Sequence, residues 1–354
     1  MPNKQQLYKE LCSTQNLYRA SKFAMKGKKS KGYVAKFWLN EDRELRRMEQ
    51  ELKEQKYQFG AYKEFRIEDN GVERKISAAP FRDRVVHHAI TQTIEPMFEK
   101  SFIYDSYANR KGKGTLKALQ RAKKYAHKFK YVLQLDIRKY FPSIDHEILM
   151  QKIAKKITDP EMFDFLAYLV AHSNKQDECY FYFKNDTLLT PYERKRGLPL
   201  GNQTSQFFGN IYLNDFDHYV KEQLKIKGYI RYVDDMVFFH DSKSYLEKVI
   251  DLVKEELEAF RLKIHPLKIK LLEIESGFLF LGHKVFKTHF RLTNKAIRRG
   301  RKKLKKVKYA YNYGNLDLAS AKNRIFGTIG FFKMGQNYKV TESLLTQTVL
   351  CKKV

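Results

Sequence analysis

Two adjacent acids, Asp234 and Asp235, stand between two apolar, aromatic-rich runs, Tyr229-Ile230-Arg231-Tyr232-Val233 and Met236-Val237-Phe238-Phe239. Runs of this length and content read as short strands, so the chain must turn back on itself at the acids. Like charges placed where the neighbouring residues want burial are a severe constraint. A solvated turn is one way to meet it, since aspartate is common in turns. Neutralisation by a bound cation is the other.

A third acid bears on the choice. Asp136 closes the apolar strand pattern Tyr131-Val132-Leu133-Gln134-Leu135 far upstream. If the two strand regions neighbour each other in one sheet, their acids converge at one edge. Three carboxylates are what two hard divalent cations require when they sit ~3.5–4 Å apart and bind both ends of an in-line phosphoryl displacement. Without cations the acids repel one another and shift towards protonation. The expectation is a site for two magnesium ions, with manganese able to substitute.

Charge points to the substrate class. The 354 residues carry 69 Lys plus Arg against 40 Asp plus Glu, a formal charge of +29, and 43% hydrophobic content supports a real core. Self-repulsion on that scale makes sense when a polyanion, here nucleic acid, is the normal partner. No apolar span reaches transmembrane length, and the opening MPNKQQLYKELCSTQ lacks a signal-peptide core, so a cytoplasmic protein without a membrane partner is expected. Cys12, Cys179 and Cys351 are too scattered for a disulfide framework or a cysteine zinc site, and the ten histidines, the pair His87-His88 included, show no metal-ligand spacing.

Residues 1–58 read as a basic helical extension, with Leu45, Met48 and Leu52 at helical spacing and Asn40 placed to cap. EFRIEDNGVERKISA, residues 64–78, reads as a hairpin turning at Asp69-Asn70-Gly71. Helices are expected over about 83–98 and from about 115 to 126, with the loop SYANRKGKGT between them. After the Asp136 strand the chain bends at Pro142 and enters a helix near Asp145, which suits an N-cap rather than a metal ligand. The run Tyr180-Phe181-Tyr182-Phe183 is a candidate strand within an irregular 173–196. RGLPLGNQTSQFFGN opens a helix whose stripe is Phe208, Ile211, Tyr212, Phe216 and Tyr219. Residues 291–354 read as a small helical unit: in RRGRKKLKKVK the stripe Ile297, Gly300, Leu304, Val307 and Tyr311 packs, while the other faces, with Arg298, Arg301, Lys302 and Lys305, are cationic and suited to phosphates.

Asp136 followed by an aromatic five positions on, the tetrapeptide Tyr232-Val233-Asp234-Asp235, Lys268 in HPLKIK and Phe280-Leu281-Gly282 stand in this order between about Glu64 and Gly282. Together they resemble reverse transcriptases. The resemblance implies an α+β right-hand polymerase: an N-terminal helical extension over 1–58, fingers and a palm with an antiparallel sheet over 59–290, and a helical thumb over 291–354. It implies RNA template and DNA product as partners and deoxynucleoside triphosphates as substrate. Asp136, Asp234 and Asp235 would be the metal ligands, with the backbone carbonyl of Ile137 completing the shell. Phe141 would lie beneath the sugar of the incoming nucleotide and clash with a 2′-hydroxyl, with Tyr140 beside it; plain core packing is the competing account of Phe141. Arg74 lines up with the fingers arginine that grips the triphosphate, and Arg66 and Lys75 are weaker candidates on the same hairpin. Lys268 would protonate or neutralise the departing pyrophosphate. Tyr107, Asn109, Arg110 and Lys113 offer a stacking ring and phosphate donors to a template strand, unless they form only a basic loop.

Within that family, many bacterial members carry Gln before the glycine and Pro after the serine of the motif at 198–210. This chain has Leu200 before Gly201 and Gln206 after Ser205. That form looks like the reverse transcriptases of diversity-generating retroelements. The resemblance implies error-prone copying of a template-repeat RNA, with Leu200, Gly201 and Gln206 near the nascent base pair, and an accessory helical protein that forms a basic oligomer. A defence-associated reverse transcriptase that copies a noncoding RNA shares the same palm. An RNA-dependent RNA polymerase and a non-catalytic RNA-binding protein are the alternatives of other classes.

Overall fold

The computed structural model describes residues 6–69, 72–173, 179–335 and 337–352, without the side chains of Asp69, Val72 and Arg74. Four helices open the chain: α1 (Leu7–Leu11), α2 (Thr14–Met25), α3 (Gly32–Leu39) and α4 (Glu41–Lys53). Ser13 caps α2 by accepting from the Asn16 N–H. Asn40 precedes α4 as expected but turns its amide back to the Lys36 carbonyl, so α4 starts without a side-chain cap. Strands β1 (Lys63–Asp69) and β2 (Val72–Ala78) form the antiparallel hairpin read from the sequence, while Asn70 and Gly71 of its turn lie outside the described residues. Helices α5 (Phe81–Glu99) and α6 (Thr115–Lys128) follow.

The central sheet comprises β3 (Tyr131–Asp136), β4 (Gly228–Tyr232), β5 (Asp235–His240) and β6 (Lys270–Glu273), in the order β4-β5-β3-β6 and antiparallel throughout. Between β3 and β4 run α7 (Tyr140–Ser143), α8 (His146–Ala154), α9 (Pro160–Ala171), α10 (Thr190–Glu193), α11 (Gln203–Tyr212) and α12 (Asn214–His218). Helix α13 (Lys243–Ala259) returns the chain to β6. Strands β7 (Phe278–Phe280), β8 (His283–Val285) and β9 (Phe290–Leu292) make a small second sheet, and α14 (Asn294–Asn312), α15 (Leu318–Phe332) and α16 (Tyr338–Thr346) complete the chain.

Alternation along the strands explains the layering. Leu133, Leu135 and Phe238 face one core with α5, α8, α11 and α13, while Val132, Val237 and Phe239 face another with α6 and the small sheet. The N-terminal helices join the first core: Leu7, Leu11, Leu17, Met48 and Leu52 are buried with Val86 and Ile90 of α5. Asn16 reinforces the junction by donating to the Ala89 carbonyl and the Thr93 hydroxyl. A third core belongs to α14–α16, where Gly300 lets α14 approach the Phe332 ring and Leu304 and Val307 are buried as the stripe foretold.

The aromatic run 180–183 is not a strand. Tyr180 stacks on Tyr192 with ring centroids 4.5 Å apart, and Arg196, Arg138 and Arg194 lie over Tyr180, Phe181 and Phe183. Three of the four rings find cations here, and that packing stands where strand pairing was expected.

Candidate active site

The hairpin β4–β5 and the end of β3 bring the three acids together. Asp136 and Asp235 are directly opposed register partners, which places their side chains on one face of the sheet. Asp234 occupies the two-residue turn with Val233, and its carbonyl accepts from the Ile137 N–H at 3.3 Å. That bond ties the hairpin tip to the residue following Asp136.

Electrostatics at this edge are unusual. Burial pushes the Asp235 carboxyl up to about 7; the charges of Asp234 and Asp136 push the same way, and the Lys268 ammonium opposes them. Lys268 donates to both oxygens of Asp136, at 2.8 and 2.7 Å. It is delivered by the short helical turn Pro266–Lys268, and this turn is anchored by the His265 N–H on the Asp136 carbonyl at 2.8 Å. Among the described residues no three acid, histidine or cysteine side chains are gathered into a finished cation cage. The Asp136 carboxylate is instead held in an ion pair with Lys268 at 2.7 Å. The donor set nevertheless fits a hard divalent cation, being carboxylate throughout and carrying in Asp235 a charge that its neighbours oppose.

Phe141 and Tyr140 lie on α7, five and four residues beyond Asp136, and pack against α11 at Gly209. A Cβ at Gly209 would meet the Tyr140 ring at 3.3 Å and the Phe141 ring at 3.4 Å. Tyr140 is buried and its hydroxyl donates to the Gly209 carbonyl, so it braces this contact and does not present itself to a nucleotide. Phe141 stays half-buried. Gln206 lies one turn before Gly209 on α11, on the same side of the helix. The loop before it is docked on the β1–β2 hairpin: the Ser77 N–H donates to the Leu200 carbonyl at 3.3 Å, and Gly201 takes φ +120°, a conformation suited to glycine. Leu200, Gly201, Gln206 and Phe141 therefore share one neighbourhood. On the hairpin, Arg66 pairs with Glu73 at 2.9 Å and Lys75 with Glu64 at 2.8 Å. Arg74 pairs with Ile67 through the backbone register, and its side chain lies outside the described residues.

The loop at 107–113 departs from the expected template contact. Tyr107 is buried, with its hydroxyl on Asp105. Arg110 is turned inward, paired with Glu99 at 2.7 Å and capping the carbonyls of Ile103 and Ser106. Lys113 donates to the Tyr104 carbonyl and lies over its ring. Asn109 supplies a left-handed turn residue with φ +54° and is exposed. The donors of Tyr107, Arg110 and Lys113 are thus spent within the loop's own fold, beside the backbone bond from the Tyr107 N–H to the Arg231 carbonyl. Arg298, Arg301, Lys302 and Lys305 are exposed on α14, away from its packed stripe.

Sequence reasoning kept Asp145 out of the acid cluster, and it is an N-cap accepting from the Glu147 and Ile148 N–H groups, with Arg261 on its other oxygen at 2.7 Å. It overlooked Arg231 and Asp217, a fully buried ion pair beneath the hairpin tip with Nη2 to Oδ2 at 2.6 Å. The available signal was a cation in the middle of an apolar strand, which demands a buried partner.

Residues 63–285 match the family described as reverse transcriptase (RNA-dependent DNA polymerase). Protein YkfC of Escherichia coli is 25% identical over 260 residues, covering 63% of this chain and 65% of that protein. The group II intron-encoded protein LtrA of Lactococcus lactis is 25% identical over 154 residues, 44% of this chain and 24% of that one. The chain thus spans less than two thirds of the length of these relatives. Among solved structures, an apo telomerase from Candida tropicalis truncated from its C-terminal domain superposes with a TM-score of 0.50 at 14% identity, covering 66% of this chain and 55% of that one, a likeness of fold. No helix among the described residues is long and apolar enough to cross a membrane.

Proposed function

The chain belongs to the reverse transcriptase family, and from that premise we propose that it is an RNA-directed DNA polymerase. The observation that carries this reading is the convergence of Asp136 and Asp235 across two paired strands with Asp234 at the intervening turn. Asp136, Asp234, Asp235 and the Ile137 carbonyl would hold two magnesium ions, or manganese in their place. Bound there, such ions supply charge neutralisation for the triphosphate and activation of the primer 3′-hydroxyl.

The chain's own residues serve the remaining needs. Lys268, once released from Asp136, has an ammonium to give to pyrophosphate as a charge or as a proton. Phe141 sits beneath the nucleotide sugar and selects deoxynucleotides, with Gly209 allowing its ring to lie close to α11. Arg74 grips the triphosphate, and Arg66 and Lys75 add positive charge to the hairpin. The cationic face of α14 holds the template and product duplex through phosphates.

The finer reading is a diversity-generating retroelement enzyme that makes mutagenised cDNA from a template-repeat RNA, with an accessory helical oligomer as partner. Its support is the Leu200-Gly201 and Ser205-Gln206 form. Gln206 offers a side-chain amide at the end of the first turn of α11, and its backbone N–H donates to the Asn202 carbonyl, a bond that proline could not make. The test is primer extension on an RNA template with deoxynucleotides and magnesium, followed by sequencing of the product. Asp234→Asn should cut incorporation by on the order of 10³-fold at unchanged RNA affinity. Extension that survives the change would overturn the polymerase reading, and error-free copies would overturn the retroelement one.

A further inference from the structure

The turn that carries Asp234 is strained. Val233, its first residue, has φ +59°, and a β-branched residue in the left-handed region costs about 1–3 kcal/mol. Such a conformation persists only where the surroundings over-determine it. The bond from the Ile137 N–H to the Asp234 carbonyl is one restraint. The other comes from below, where Arg231 has no solvent exposure.

Every nitrogen of the Arg231 guanidinium donates. Nε donates to Asp217 at 2.8 and 2.9 Å and Nη2 at 2.6 Å. Nη1 donates to Asn210 Oδ1 and to the Val233 carbonyl, both at 3.2 Å. Each anchor is itself held: the Tyr229 hydroxyl donates to Asp217 at 2.8 Å, and the Asn210 amide donates to the Ala108 carbonyl at 2.9 Å. Stability alone gives little reason for this arrangement, because a well-packed apolar pair of similar volume is often as stable as a buried ion pair. An apolar pair, however, cannot bond a turn carbonyl.

We propose that Arg231 is a positioning residue for nucleotidyl transfer: clamped by Asp217 and Asn210, it grips the Val233 carbonyl and holds the turn that aims Asp234. The proposal rests on the reading of the three carboxylates as a metal centre. Asp217 and Asn210 act through Arg231, and none of the three touches substrate.

The experiment uses the full chain and the double variant Arg231→Met with Asp217→Asn, which removes both buried charges together and keeps an acceptor for Tyr229. Manganese uptake is read by electron paramagnetic resonance, and primer extension is run with magnesium and with manganese. The expected result is an uptake weakened by about tenfold, the scale seen when support behind metal ligands is lost. Magnesium-supported kcat should fall further than manganese-supported kcat, because magnesium tolerates less departure from octahedral geometry. At saturating metal, deoxynucleotide KM and RNA affinity should stay within about twofold, since no direct contact to nucleotide or RNA is removed. A double variant with the wild-type Tm, unchanged uptake and an unchanged magnesium-to-manganese activity ratio would overturn the proposal. Should that variant fail to fold, Arg231→Lys keeps the charge opposite Asp217 but lacks the planar fork, and the same losses are expected; unchanged uptake there overturns it equally. Wild-type protein that takes up no manganese, or uptake indifferent to Asp234→Asn, would overturn the metal-centre reading and this proposal with it.

Discussion

Replacing Lys268 with methionine should separate metal binding from turnover. Its ammonium donates to both oxygens of Asp136, so a cation arriving at that carboxylate must displace it. A hydrogen bond between charged groups contributes about 1.5–3 kcal/mol. The Lys268 side chain is 53% exposed, and screening reduces its share to about 1–2 kcal/mol. Deleting the competitor returns that energy to metal binding, a gain in affinity of about 5- to 30-fold. The uncompensated facing of Asp136 and Asp235 acts in the same direction. Turnover should move the other way, by about 10²-fold, because the leaving pyrophosphate loses its proton donor or counter-charge. Because Lys268 opposes the rise of the Asp235 carboxyl to about 7, its loss raises that carboxyl further, so manganese uptake is compared at pH 8 and above, where competition from the proton fades. Affinity that is unchanged or weaker in Lys268→Met would refute the view that this lysine and the metal contend for one carboxylate.

The raised Asp235 carboxyl makes stability depend on pH. Between its ordinary value of 3.8 and about 7 the folded protein binds more protons than the unfolded chain, so this group's contribution is fully present below 3.8 and is lost as pH rises through 7. Thermal melts in chelator should show Tm falling over that window, by up to about 1.4 kcal/mol per pH unit in the underlying free energy, and Asp235→Asn should flatten the fall. Phe141→Ala should admit ribonucleotides at a rate at least about tenfold nearer to that of deoxynucleotides, read by single-nucleotide incorporation; an unchanged sugar preference would leave Phe141 as packing alone.

Much of the site is legible in the sequence because its parts are local. Asp136 ends an apolar strand run and Asp234-Asp235 interrupts another, so each strand and its acid can be read locally, while their pairing in one sheet enters only as a condition, which the β3–β5 register meets. The α14 stripe was equally readable, since Leu304 and Val307 obey helical spacing. Long-range side-chain pairing was not readable. Tyr107 and Arg110 looked like template contacts because a basic, aromatic loop has that composition whether its donors face solvent or its own carbonyls. The aromatic run 180–183 satisfied every strand preference and still became a cation-packed segment, because strand formation needs a neighbouring edge and no local rule supplies one. Arg231 and Asp217 are 14 positions apart on different elements, so only the fold could reveal them as partners.

The segment that carries the family's signature begins at residue 63, yet the core it shares includes the helices before it. Leu17, Met48 and Leu52 fill space against α5, and the Tyr8 backbone N–H is held by the Asp159 carboxylate at the start of α9. A chain cut back to the signature would bare the flank of α5 and leave the Asp159 carboxylate without that donor. The leading helices are therefore a foundation beneath the catalytic sheet, and changes far from the acids can reach them through α5.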